Sequence, residues 1–171
     1  IDAADTTGNA NLASVLPALS TKTASGTTNI AGAANTVTIG FNCDTALAEG
    51  DTVVITGLTF ASNEDTPSIV ITGDDAAKFK VGGDTSRAAW LASGSLTLTA
   101  AAGGVATGAR TVSVALTNKA TAVNAVTPQI SATIAATNNI VASASTGNSN
   151  LAVAPAAAVA PSNLTPNPDA D

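Results

Sequence analysis

The chemically capable side chains are mostly carboxylates, and they come in close pairs: Asp2 with Asp5, Glu49 with Asp51, Glu64 with Asp65, Asp74 with Asp75, and Asp169 with Asp171. Paired carboxylates can hold a calcium ion through hard oxygen ligands, or act as acid and base across a glycosidic bond. Neither pattern is completed here. The spacing of a calcium loop with its terminal Glu is missing. A sugar cleft needs rigid aromatic surface, and the chain has only Phe41, Phe60, Phe79 and Trp90 to serve core and cleft alike. Trp90 is therefore expected in the core. The acidic pairs are expected to be solvated turn residues, whose side chains favour tight turn geometry; a calcium site is the alternative. No cofactor is expected.

The single thiol, Cys43, follows Val37, Ile39 and Phe41 in strict alternation, so it falls on the same inward face of a strand. It reads as a small buried hydrophobe carrying a free thiol, with a bridge to another chain as the alternative. The chain has no His, Met or Tyr. Most groups used for general acid-base, metal and nucleophilic chemistry are absent, and no enzymatic activity is expected.

Lys and Arg number 6 against 12 Asp and Glu, for a net charge of −6, and the basic residues are scattered singly. A phosphate backbone would find no basic stripe and single-stranded bases no aromatic platform, so nucleic acid is excluded as a partner. No apolar run approaches the length of a helical membrane span, and Leu151 to Ala160 is broken by Pro155. Ile1 opens the sequence without a basic and apolar leader, and we expect that any signal peptide has been removed; a fragment of a longer chain is the alternative. Asn163-Leu164-Thr165 is an N-glycosylation sequon in a Pro-rich tail, making Asn163 a candidate glycan acceptor.

The elements that must carry these residues are strands. Thr36 to Cys43, Thr52 to Thr59, Ser68 to Thr72, Ser95 to Ala100, Arg110 to Asn118 and Gln129 to Ala136 are short β-prone runs, most with alternating apolar residues, separated by Gly, Asp and Asn clusters. Antiparallel strands with one buried face have this pattern. Gly57 is a candidate bulge, and Asp74 to Phe79 a single helical turn with an Asp cap and Phe79 anchored inward. No segment sustains a helical apolar stripe. Six or seven strands with turns at this spacing predict an all-β fold, an immunoglobulin-like Greek-key β-sandwich.

Three regions are expected: an extended N-terminal segment over 1–28, the sandwich over 29–137, and an Ala/Pro-rich extended C-terminal segment over 138–171. The ends resemble each other. Thr7-Gly8-Asn9-Ala10-Asn11-Leu12-Ala13 reappears as Thr146-Gly147-Asn148-Ser149-Asn150-Leu151-Ala152. Two copies of one extended segment suggest a tandem array or strands that dock on successive subunits. The candidate assembly residues are Asn11, Leu12, Val15, Leu16 and Leu19 in one end, and Asn150, Leu151, Val153 and Val159 in the other.

The runs Asn35-Thr36-Val37-Thr38-Ile39, Ala46 to Leu58, Gly94 to Thr99 and Val112 to Asn118 are similar to immunoglobulin-like β-sandwich repeat modules of large algal and bacterial cell-surface and extracellular proteins. The likeness covers Asn35 to Ala136 through degenerate β-motifs and transfers no catalytic residue. It implies extracellular or cell-surface display and a structural or adhesive role. The expected function is a structural subunit that self-assembles, with copies of itself as partner, into a filament or surface layer through its extended ends; the alternative is an adhesion or glycan-binding module on a Pro-rich stalk.

Overall fold

The structure is a computed structural model that describes residues 19–135 and 138–155. Among the described residues eleven strands follow one another: β1 (Leu19–Gly26), β2 (Ala34–Cys43), β3 (Thr52–Thr56), β4 (Thr66–Thr72), β5 (Phe79–Val81), β6 (Asp84–Thr85), β7 (Arg87–Leu91), β8 (Ser95–Ala100), β9 (Gly108–Thr117), β10 (Gln129–Ile134) and β11 (Asn138–Ala144). They pair in the order β1-β2-β9-β4-β7-β8-β3-β10-β11, with the β5–β6 hairpin attached to β8. The fold is all-β, a single sheet nearly closed into a barrel.

Alternation drives this architecture. Val37, Ile39, Phe41 and Cys43 of β2 face inward against Val112, Val114 and Leu116 of β9, in a register running from Ala34↔Thr117 to Cys43↔Gly108. On the far side Val53 and Ile55 of β3, Leu96 and Leu98 of β8, and Ile130, Ala132 and Ile134 of β10 fill the same core. A slip of one residue would turn each of these sets to water, so the register is strongly specified. β4 joins the two halves: Ile69 and Val70 pair with β7, Ile71 and Thr72 with β9.

The sheet includes strands on both sides of the expected 29–137 span. β1 pairs with β2 from Leu19↔Cys43 to Gly26↔Val37, and β11 pairs with β10. The core also takes in Leu19, Ile140, Leu151 and Val153. Small side chains leave the central strands short of apolar volume, and the flanking strands supply the rest of the burial.

Two local expectations are also revised. The turn after β4 is 3-10 over Ala76–Lys78, and its preceding Asp75 makes no side-chain cap. The Asp75 carboxylate instead accepts from the Thr111 amide at 2.8 Å and pairs with Arg110 at 3.2 Å. Gly57 lies just past the end of β3 at φ 87°, a conformation that favours glycine, while the register shifts fall elsewhere, in the β1–β2, β4–β7 and β10–β11 pairs. Phe79 is buried as expected, edge-on to Phe41.

Candidate functional site

The barrel closes at a seam between β1 and the chain that follows β11. Thr146 donates its amide to the Lys22 carbonyl at 2.8 Å and accepts from Ala24 N at 3.2 Å, which sets the two segments parallel; Gly26 N donates to the Ser149 carbonyl at 2.8 Å. Each contact satisfies a main-chain group on the side of β1 away from β2 that an open edge would leave bare.

Side chains fix the register of the added segment. The Thr146 hydroxyl donates to the Lys22 carbonyl, and Asn148 exchanges hydrogen bonds with Ser145, whose hydroxyl also donates to the Pro128 carbonyl. Gly147 and Asn150 have φ of 65° and 55°, conformations that glycine and asparagine tolerate best. Asn150 donates from Nδ2 to the Gly26 carbonyl at 3.0 Å, while its own carbonyl accepts from Asn35 Nδ2 at 3.3 Å. A Cβ on Gly26 would stand 2.7 Å from the Asn150 carbonyl oxygen and from Asn35 Oδ1, so only glycine allows this approach. Leu151 then enters the core, and Val153 pairs with Val123 through two main-chain hydrogen bonds.

Beneath the seam lies a pair of buried amides. Asn35 Oδ1 accepts from Thr27 N and Thr28 N, and its Nδ2 donates to Asn118 Oδ1 at 3.0 Å; Asn118 in turn donates to the Thr28 and Ile30 carbonyls. Lys22 is buried at the same seam, its ammonium donating to the Ser143 hydroxyl of β11. Burial pushes its pKa below the ordinary lysine value.

On the other side of β1 a cleft of about 220 Å³ is lined by Thr21, Thr23, Gly40, Asn42, Ala109 and Thr111, with Phe41 and Arg110 also contributing. Thr23 packs closely over Gly40 in its wall, where a Cβ would meet the Thr23 hydroxyl at 2.5 Å. Arg110 is already committed to Asp75 and to the Ala106 and Thr107 carbonyls. The cleft thus offers hydroxyl and amide groups around a small apolar floor.

The acidic pairs are not all solvated turns. Glu64, Asp65 and Asp74 are exposed, and Glu49 pairs with Lys80 at the surface, but Asp51 is buried and accepts from two main-chain amides, Ala48 N at 2.8 Å and Ala135 N at 2.9 Å. Among the described residues no three His, Cys, Asp or Glu side chains come together as a metal group. Asp2, Asp5, Asp169 and Asp171 lie outside the described residues, as do the candidate residues Asn11, Leu12, Val15, Leu16, Val159 and Asn163. Of the other candidate assembly residues, Leu19, Leu151 and Val153 are buried in the core of their own chain and Asn150 is exposed. Trp90 is fully buried and donates its indole N–H to the Asn63 carbonyl.

Cys43 is a buried free thiol, and burial pushes its pKa up to about 11. A thiol reagent is expected to label it slowly in the native chain at neutral pH and at once after denaturation. The unfolded thiol ionises near 9.0 and the folded one near 11. The stabilisation is therefore complete below pH 9 and lost as pH rises through 11, a fall of about 3 kcal/mol. Lys22 works in the opposite sense, since its lowered pKa makes stability rise with pH below the ordinary lysine value. Comparing urea unfolding of the intact chain and Cys43→Ala across this window isolates the thiol; equal slopes for the two would refute the assignment.

These features define an all-β sheet nearly closed into a barrel, and the best-defined feature among the described residues is the seam between β1 and the segment from Thr146 to Val153. The sequence matches no known protein-family model and no curated protein.

Proposed function

We propose that the chain is an extracellular structural subunit that assembles with copies of itself into a filament or surface layer. In this reading the flattened barrel is an immunoglobulin-like Greek-key module, its two sandwich halves joined through β4. The observation that supports it most is the seam itself: β1 accepts an added extended segment through main-chain hydrogen bonds and a buried leucine, which is the chemistry by which sheet edges recruit strands. Burying three or four apolar side chains contributes on the order of 5 kcal/mol before ordering costs, so single contacts are weak and assembly depends on concentration. Sedimentation velocity over a wide concentration range, followed by electron microscopy, is expected to show growth into fibres or sheets. A monodisperse monomer throughout would end this reading.

A second reading, an adhesion or glycan-binding module displayed on a Pro-rich stalk, draws on the cleft beside Gly40, whose rim of Thr21, Thr23, Asn42 and Thr111 offers partners for sugar hydroxyls. All four aromatic side chains are buried, so recognition there would work by hydrogen bonding without stacking. Saturable glycan binding by the monomer would favour it.

A further inference from the structure

The segment that closes the barrel has a second copy in the same chain, and the seam shows which of its residues matter. Thr7 to Ala13 and Thr146 to Ala152 agree at every position except Ala10, which stands where Ser149 does. Ser149 is exposed and gives the seam its main-chain carbonyl oxygen, a contact that alanine supplies equally. The shared residues are those whose identity the seam uses: the Thr146 hydroxyl on Lys22, Gly147 and Asn150 in left-handed backbone, the Asn148 amide on Ser145, the Asn150 amide on Gly26, and Leu151 in the core. Upstream, Thr6 keeps the hydroxyl of Ser145. Downstream, Ser14 replaces the buried Val153, so the N-terminal copy would hold less firmly at that end.

Chain reach decides whose copy can enter. The seat runs parallel to β1 and ends beyond it, with Ala154 bonded to the Asn29 carbonyl. For Ala13 to lie where Ala152 lies, the six links from Ala13 to Leu19 would have to run back along all of β1. Their full extension is roughly 20 Å, no more than the length of β1 itself at about 3.3 Å per residue, and short of the seat's far end. The copy must come from another molecule.

We propose that the seat beside β1, filled within the chain by Thr146–Ala152, also takes the Thr7–Ala13 segment of a second copy, which displaces the resident segment and links subunits head to tail. This rests on the self-assembly reading and names its contact. The test uses the full chain and a synthetic peptide of residues 5–15. Leu151→Asp is expected to loosen the resident segment and lower the melting midpoint; excess peptide should bring the midpoint back up by several degrees, and the same peptide carrying Leu12→Asp should not. Should Leu151→Asp fail to fold, Asn150→Ala serves in its place. In the otherwise intact chain, Leu12→Asp should abolish assembly and leave the monomer's melting midpoint unchanged. Rescue by peptide in a chain that never polymerises would support the seat and remove the homopolymer; polymerisation undiminished by Leu12→Asp, or no rescue by peptide, would overturn the seat.

Discussion

Asp51→Ala is expected to lower the stability of the chain by about 4 kcal/mol, because it strips partners from two main-chain amides and leaves a cavity where a carboxylate was held. The Asp51 carboxylate bonds Ala48 N in the loop before β3 and Ala135 N just after β10, so one side chain ties together two loops far apart in sequence. Asp51→Asn retains one acceptor oxygen and should lose roughly half as much. Glu49→Ala is the control: its ion pair with Lys80 sits at the surface, with the carboxylate half exposed, and should cost less than about 1 kcal/mol. Urea unfolding midpoints of the three variants measure the comparison. Equal losses at Glu49 and Asp51 would show that Asp51 has no special place.

Asn35→Ala has a comparable expected cost, about 3 to 4 kcal/mol, and a more specific signature. It removes the acceptor for Thr28 N, orphans Asn118 Oδ1 inside the fold, and releases the Asn150 carbonyl. The added segment then loses its hold beside Gly26, and hydrogen exchange at the Ala24 and Gly26 amides should accelerate while that of β3 and β8 changes far less. Replacing Asn35 and Asn118 together should cost less than the sum of the single changes, since each single variant strands the other amide. Additive losses, or unchanged exchange at Ala24 and Gly26, would contradict the coupling of this pair to the seam.

Both residues show where sequence reading reached and where it stopped. β2, β3, β4, β8, β9 and β10 were legible because Val, Ile, Leu and Phe recur in them among Thr and Ser, mostly in alternation, and the burial of Cys43 followed from the same parity. The pairs that flank them were not, since β1 reads Leu-Ser-Thr-Lys-Thr-Ala-Ser-Gly with one large apolar residue, and its register shift between Ser20 and Thr23 breaks the alternation. β5 to β7 were missed for a related reason: Lys80, Gly82, Gly83 and Asp84 read as turn, and the inward residues of β7 are an alanine and Trp90. At the seam, the C-terminal Asn-x-Asn-Leu-Ala motif falls in the segment that lies beside β1, but whether such a motif packs at home or on a neighbour depends on long-range pairing. A usable signal was present at Asn35 and Asn118, which continue the inward parity of Val37 and Leu116. A polar residue at a buried position demands a partner, and here each is the other's. Asp51 gave no such signal, because an acidic residue beside Glu49 and Gly50 reads as turn until its burial is known.

The parallel setting of β1 and the segment from Thr146 to Asn150 also determines how the molecule bears load. Tension entering at Leu19 and leaving at Pro155 pulls these neighbours lengthwise in opposite directions, because the one is entered at its start and the other left at its end. The hydrogen bonds at Thr146 and Ser149 must then be sheared together, where a pull across the strands would open them one at a time. The resistance is set by the rate of that concerted rupture, and forced unfolding is governed by such a rate. A module joined in series through these ends would meet force with its strongest direction.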